Sequence, residues 1–134
     1  MKDTNTYLMF DGNTREAMTF YKECLAAELH IMNYSEAPGC DVPPGAENRV
    51  VHAMLRKGQA VLMASDTPPG MPVQQGNNFS ININCESLEE IQSLFAALGK
   101  DGKVTMPLQD MFWGAHFGML TDQFGINWMF NFEA

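Results

Sequence analysis

Short runs of alternating apolar and polar residues dominate this chain, interrupted twice by stretches in which apolar residues recur every three or four positions. Residues 6–10 form an apolar run that predicts a strand leading to Asp11-Gly12-Asn13. Over 14–26, Ala17, Phe20, Tyr21, Cys24 and Leu25 share one helical face, with Asn13 or Thr14 as the cap and Glu16 in the first turn. A strand over 29–34 follows. The pattern then returns: a strand over 79–85, a helix from 88 to about 98, Gly99, and a strand around 103–106. Leu88, Ile91, Leu94, Phe95 and Leu98 line that second helix, and Ser87 with Glu90 forms a capping box before it.

Each half adds two further strands. Residues 49–57 and 59–65 pair across Lys57-Gly58-Gln59, and 111–120 pair with 126–132 across a Thr-Asp-Gln-Phe-Gly turn. This places Trp113 and Trp128 on strands of the second half. Gly125 supplies positive φ in that turn, and Asp122 can bond the backbone two residues on. The chain is thus expected to hold one domain over 1–134, with a β-α-β-β-β module at about 5–66, a loop over 67–78 and a second module at about 79–132. The loops 37–48 and 67–78 are rich in Pro and Gly and long enough for binding loops or lids.

The spacing Trp113-Gly-x-x-x-Gly, followed by Asp122-x-Phe-Gly-x-x-Trp128, resembles the C-terminal signature of the PhnB-like branch of the vicinal oxygen chelate superfamily. That superfamily also holds glyoxalase I, bleomycin-resistance and extradiol dioxygenase families. Tyr7-Leu-Met-Phe-Asp-Gly-Asn13, Ala17-Met18-x-Phe20-Tyr21 and Val61-Leu-Met-Ala-Ser-Asp66 resemble its first strand, first helix and mid-chain strand, so nearly the whole chain is covered. Gln123 departs from the family's usual proline, which loosens the turn without altering the fold. The resemblance implies an α+β fold: two βαβββ modules forming a curved mixed sheet around a pocket, helices on the convex side. It also implies a homodimer.

Composition narrows the function. A formal charge of −8 argues against nucleic acid and anionic membranes as partners. Eleven methionines suit an adaptable binding surface, although a packed core uses most such residues. Cys24, Cys40 and Cys85 are odd in number and lack metal-type spacing. Residues 1–6 carry no apolar run and no segment is long enough to span a bilayer, so a reduced cytoplasmic protein is expected.

Alternation puts Ser80, Asn82 and Asn84 on the pocket side, opposite Phe79 and the isoleucines. Metal-dependent relatives place one His, Gln or Glu ligand on each of four pocket strands, and these places fall near Thr6, Met63, Ser80 and Met129. None supplies an imidazole or carboxylate, so no metal ligands are assigned, no cofactor is expected, and a divalent ion is disfavoured. The catalytic candidates are His52, His116 and Asp66, with Asp110 and Trp113 nearby in chemistry. His52 lies opposite Val51, Ala53 and Leu55, where a satisfied structural histidine is the commoner outcome. Asp66 ends a strand, where a cap or turn role is the commoner one. Gly114 and Gly118 thin the face around His116 and could open space for a ligand or merely accommodate a bulge. His30 should be exposed. Met63, Ser80, Asn82, Trp113 and Met129 are the expected ligand pocket.

Three functions remain open. The first is a metal-free small-molecule-binding protein of the PhnB-like group. The second is a lyase or isomerase of the same fold with a non-standard metal or acid–base site. The third is a drug-sequestering resistance protein, for which cationic ligands would suit the acidic charge. A demethylubiquinone methyltransferase label attaches to some relatives, but this chain has no glycine-rich nucleotide loop, nucleophile elbow or zinc-protease motif.

Overall fold

The computed structural model describes residues 1–37, 39 and 42–134, so Cys40 and part of the 37–48 loop lie outside the described residues. The chain divides into two compact units, Met1–Gln74 and Gln75–Ala134. The first contains β1 (Thr6–Phe10), α1 (Thr14–Leu25), β2 (Glu28–Asn33), β3 (Val50–Lys57) and β4 (Ala60–Asp66). The second contains β5 (Ile81–Asn84), α2 (Leu88–Leu98), β6 (Lys103–Asp110), β7 (Ala115–Thr121) and β8 (Asn127–Glu133). Both units fold their strands in the same order: β1-β4-β3-β2 and β5-β8-β7-β6. The first strand of each runs parallel to the last, and the other neighbours are antiparallel. The α+β architecture of two repeated modules is therefore the observed one.

Period-two alternation sorts each sheet into a face under its helix and a face without one. In the first unit α1 packs on β2, β3 and β4. Leu8, Phe10, Ala53, Leu55, Leu62 and Ala64 are buried on that side with Ala17, Met18 and Tyr21 of the helix. In the second, Ile91 and Leu98 of α2 cover Leu120, Trp128 and Phe130, and Phe95 meets Phe130 edge-on at 5.2 Å. Burying these side chains supplies the main stabilisation of each unit.

Several expectations need correction. Neither Asn13 nor Thr14 caps α1 with its side chain at the N-cap; the carboxylate of Asp66, arriving from β4, takes that place. Thr6 pairs with Leu62 and so lies on the helix side, whereas Tyr7 pairs with Met63 on the open side. Trp113 is not on a strand. The reversal Met111–Gly114 is closed by Gly114 N–H on the Met111 carbonyl at 3.0 Å, and β7 begins only at Ala115. Phe79 stands before β5 and is 58% exposed rather than packed under α2, and Leu88 is also exposed. Ser87 does cap α2, accepting Glu90 N–H at 3.0 Å, while the Glu90 carboxylate reaches Glu86 N–H instead of the Ser87 amide.

Candidate functional site

Asp66 closes the first module from inside. It is 2% exposed. Its Oδ1 accepts Gly12 N–H, Thr14 N–H and the Thr14 hydroxyl at 3.0, 3.0 and 2.7 Å, and Oδ2 accepts Val50 N–H at 2.8 Å. A negative charge at a helix N-terminus that also takes up the helix's unpaired amides is a stable arrangement. Arg49 ties down the same corner through Asp11 at 2.8 Å and the Thr67 carbonyl at 2.7 Å. A cavity of about 420 Å³ adjoins it, walled by Arg15, Glu16, Thr19 and Asn48. With four donors on it, the carboxylate is committed to holding β4, α1 and β3 together.

Asp122 plays the corresponding part in the second module. Oδ1 accepts Phe124 N–H at 2.8 Å and Ile126 N–H at 3.1 Å, and Oδ2 accepts the Trp128 indole N–H at 2.8 Å. Gly125 holds the turn at φ 85°. The Asp-x-Phe-Gly-x-x-Trp spacing thus encodes a folded turn locked to a buried indole, not a reactive group. Sequence reading anticipated the Phe124 bond and missed the indole.

The remaining candidates separate. His52 lies on the helix-free face of the first sheet, its Nδ1 3.0 Å from the Tyr7 hydroxyl and the two rings 5.7 Å apart. Asp66, in step with the buried Leu62 and Ala64 of β4, lies on the opposite face of that sheet. His116 belongs to the second unit and shares the helix side with Gly118 and Leu120; its Nδ1 is 2.8 Å from Asp110, which is itself exposed. Of the two readings of the glycines around His116, open space is not what Gly118 provides. A Cβ on Gly118 would stand 2.8 Å from Leu108 and 2.9 Å from Phe95, so the glycine permits close packing rather than opening a pocket. Gly114 has no such neighbour and serves the reversal at φ 88°. Among the described residues, no group of three or more His, Cys, Asp or Glu side chains is placed to hold a metal. Burial, with the nearby Glu90 adding to it, pushes the Cys85 thiol up to about 11, far from a thiolate nucleophile at neutral pH.

The helix-free face of the second sheet has a consistent chemistry. Asn82 pairs with Met129, Asn84 with Asn131, Phe117 with Asn131, and Met119 with Met129. Amides, thioethers and an aromatic ring alternate across it, with Asn82 donating to Asn84 at 3.1 Å. At its margin Trp113 meets Phe117 edge-on at 6.0 Å and Phe112 at 5.0 Å. Phe112 is 96% exposed, and half of Trp113 is. Ser80 precedes β5 and is half-buried. Met63 lies on the helix-free face of the first sheet, opposite Tyr7 and Met54.

Comparison with known proteins agrees with this architecture. Residues 2–130 match the family model described as 3-demethylubiquinone-9 3-methyltransferase. Protein YjdN of Escherichia coli K12 is 32% identical, over 93% of this chain and 91% of its own. The crystal structure of PA1353 from Pseudomonas aeruginosa superposes with a TM-score of 0.89 at 40% identity, covering 99% of this chain and 98% of that one. The PhnB protein of Bacillus cereus, which carries the same methyltransferase description, gives 0.80 at 31% identity over 98% and 99%. A glyoxylase/bleomycin resistance protein/dioxygenase domain from Frankia, only 13% identical, shares the fold with a TM-score of 0.70, over 100% of this chain and 93% of that one. The chain therefore belongs to the PhnB-like family described as 3-demethylubiquinone-9 3-methyltransferase.

Proposed function

We propose that this PhnB-like protein binds a small organic molecule without the help of a divalent metal. The observation that carries this reading is the uncovered face of the second sheet, where Asn82, Asn84, Asn131, Met119, Met129 and Phe117 lie together beside Trp113. Such a surface combines apolar contact with a few orienting hydrogen-bonding groups, as ligand sites do. Thioethers adapt to a ligand's shape at little cost. The places that hold divalent ligands in metal-dependent relatives offer Met63, Ser80 and Met129, with Tyr7 in register where Thr6 was expected. These donors suit no hard or borderline divalent ion. An acid–base enzyme built on His52, His116 and Asp66 gains no support, because Asp66 and His52 lie on opposite faces of one sheet. The methyltransferase description stays with the family; no Gly-x-Gly-x-x-Gly stretch in this chain would cradle S-adenosylmethionine.

Tryptophan emission tests the proposal. Trp128 is buried and bonded to Asp122, whereas Trp113 is half exposed, so a ligand on this face shifts the Trp113 component. Screening a metabolite library should yield a compound that saturates this shift and raises the melting temperature. Replacing Met129 with Ala and Asn82 with Ala should weaken it together. A library without a saturating compound, or a shift that survives both replacements, would sink the reading. Elemental analysis of the purified protein is expected to find no stoichiometric Zn, Ni, Mn or Fe.

A further inference from the structure

The first unit carries a second, independent set of donors. β2 reads His30-Ile31-Met32 and β3 reads His52-Ala53-Met54, the same His-x-Met triplet on adjacent antiparallel strands. Because the strands run in opposite directions, register sets His30 opposite Met54 and Met32 opposite His52. Ile31 pairs with Ala53, which is fully buried on the α1 side, so alternation turns all four His and Met side chains to the helix-free face. His30 and Met32 are exposed; His52 and Met54 are half-buried. Next-but-one residues of a strand are about 6.6 Å apart and directly paired residues about 5 Å. Side chains of this length, rising from the corners of such a quadrangle, can converge above its centre.

Two imidazole nitrogens and two thioether sulfurs make a soft, neutral donor set without a carboxylate or thiolate. Thioethers select soft monovalent ions over hard or borderline divalent ones. The His52 ring is already held, its Nδ1 lying 3.0 Å from the Tyr7 hydroxyl; the tautomer protonated on Nδ1 leaves the Nε2 lone pair free for a metal. One charge opposes a cation there. Arg56 Nη2 lies 3.6 Å from the Met54 sulfur, and Glu28, opposite Arg56 in register, offers the guanidinium an alternative partner.

We propose that His30, Met32, His52 and Met54 form a Cu(I)-binding site. It draws its donors from the first unit alone, and its test does not depend on the reading of the second sheet. Cu(I), delivered anaerobically and competed against bicinchoninate, is expected to bind at one equivalent per chain. Met32→Leu/Met54→Leu, which keeps side-chain volume, should weaken binding on the order of 100-fold with an unchanged circular dichroism spectrum. His30→Asn/His52→Asn should do the same, and Tyr7→Phe should cost about tenfold by freeing the ring. Arg56→Gln should tighten binding. X-ray absorption should show a mixed nitrogen and sulfur shell. Failure to retain one equivalent would overturn the proposal. So would full affinity in the Met32→Leu/Met54→Leu protein, which would remove the methionines from the site, or a sulfur-only shell, which would remove the histidines. Should the histidine variant lose its native spectrum, the methionine variant carries the test alone.

Discussion

Two aspartates show how much of this molecule depends on single carboxylates. Asp122 was legible in its turn, because Phe124 and Gly125 follow it directly; its bond to the Trp128 indole needed the strand that comes back. Asp66 gave almost no local signal, since its donors lie 16, 52 and 54 residues away. Replacing Asp66 with Ala leaves Gly12, Thr14 and Val50 amides without their acceptor. The expected cost is at least about 3 kcal/mol, read as a lower urea midpoint, because each buried donor left unsatisfied costs roughly 1–3 kcal/mol. A loss below about 1 kcal/mol would show that water replaces the carboxylate. Cys85 adds a pH dependence. Its thiol rises from 9.0 to about 11 in the fold. Between those values the unfolded chain releases the proton and the native chain retains it, so stability is intact below pH 9 and falls as pH rises through 11. The full effect is about 2–3 kcal/mol. Denaturation midpoints of Cys85→Ser should fall less steeply over this window, and identical slopes would refute the assignment.

Elements with local punctuation were the readable ones. α2 starts at its own Ser87 cap, and the β3–β4 hairpin turns at Gly58, which takes φ 59°. Alternation also put Asn82 and Asn84 opposite the isoleucines correctly. The errors arose where a partner strand decides. Thr6 was expected on the pocket side where Tyr7 stands, and a one-residue slip in a period-two strand reverses the faces. The aromatic run around Trp113 resembled a strand, yet Gly114 turns the chain there. Gly118 is the clearest case: the same residue signals open space or close packing, and only its neighbours decide. Gly118→Ala forces a Cβ to within 2.9 Å of both Leu108 and Phe95. It should destabilise by about 1–3 kcal/mol, as overpacking does. A thermal midpoint equal to the parent's would mean that the α2–β7 contact yields freely.

For the whole molecule, the repeated topology and the family were both within reach of the sequence, because Asp-x-Phe-Gly-x-x-Trp and the two strand–helix–strand–hairpin patterns span nearly all of it. No helix among the described residues is long and apolar enough to cross a membrane. The homodimer that the resemblance implies depends on surfaces, not periodicity. Met9, Phe112 and Val104 remain exposed, and covering such side chains is a common reason for symmetric pairing. We expect a homodimer at micromolar concentration, with light scattering giving twice the 15.0 kDa chain mass; the single-chain mass would exclude it. The two helices also differ in when they can be completed. α2 carries its cap in the residue before it, so everything that starts it is present once its first turn exists. The start of α1 instead waits for an acceptor 52 residues further on. On a ribosome that makes the chain from its N-terminus, the first helix to appear is therefore left unfinished until the whole first module has been synthesised.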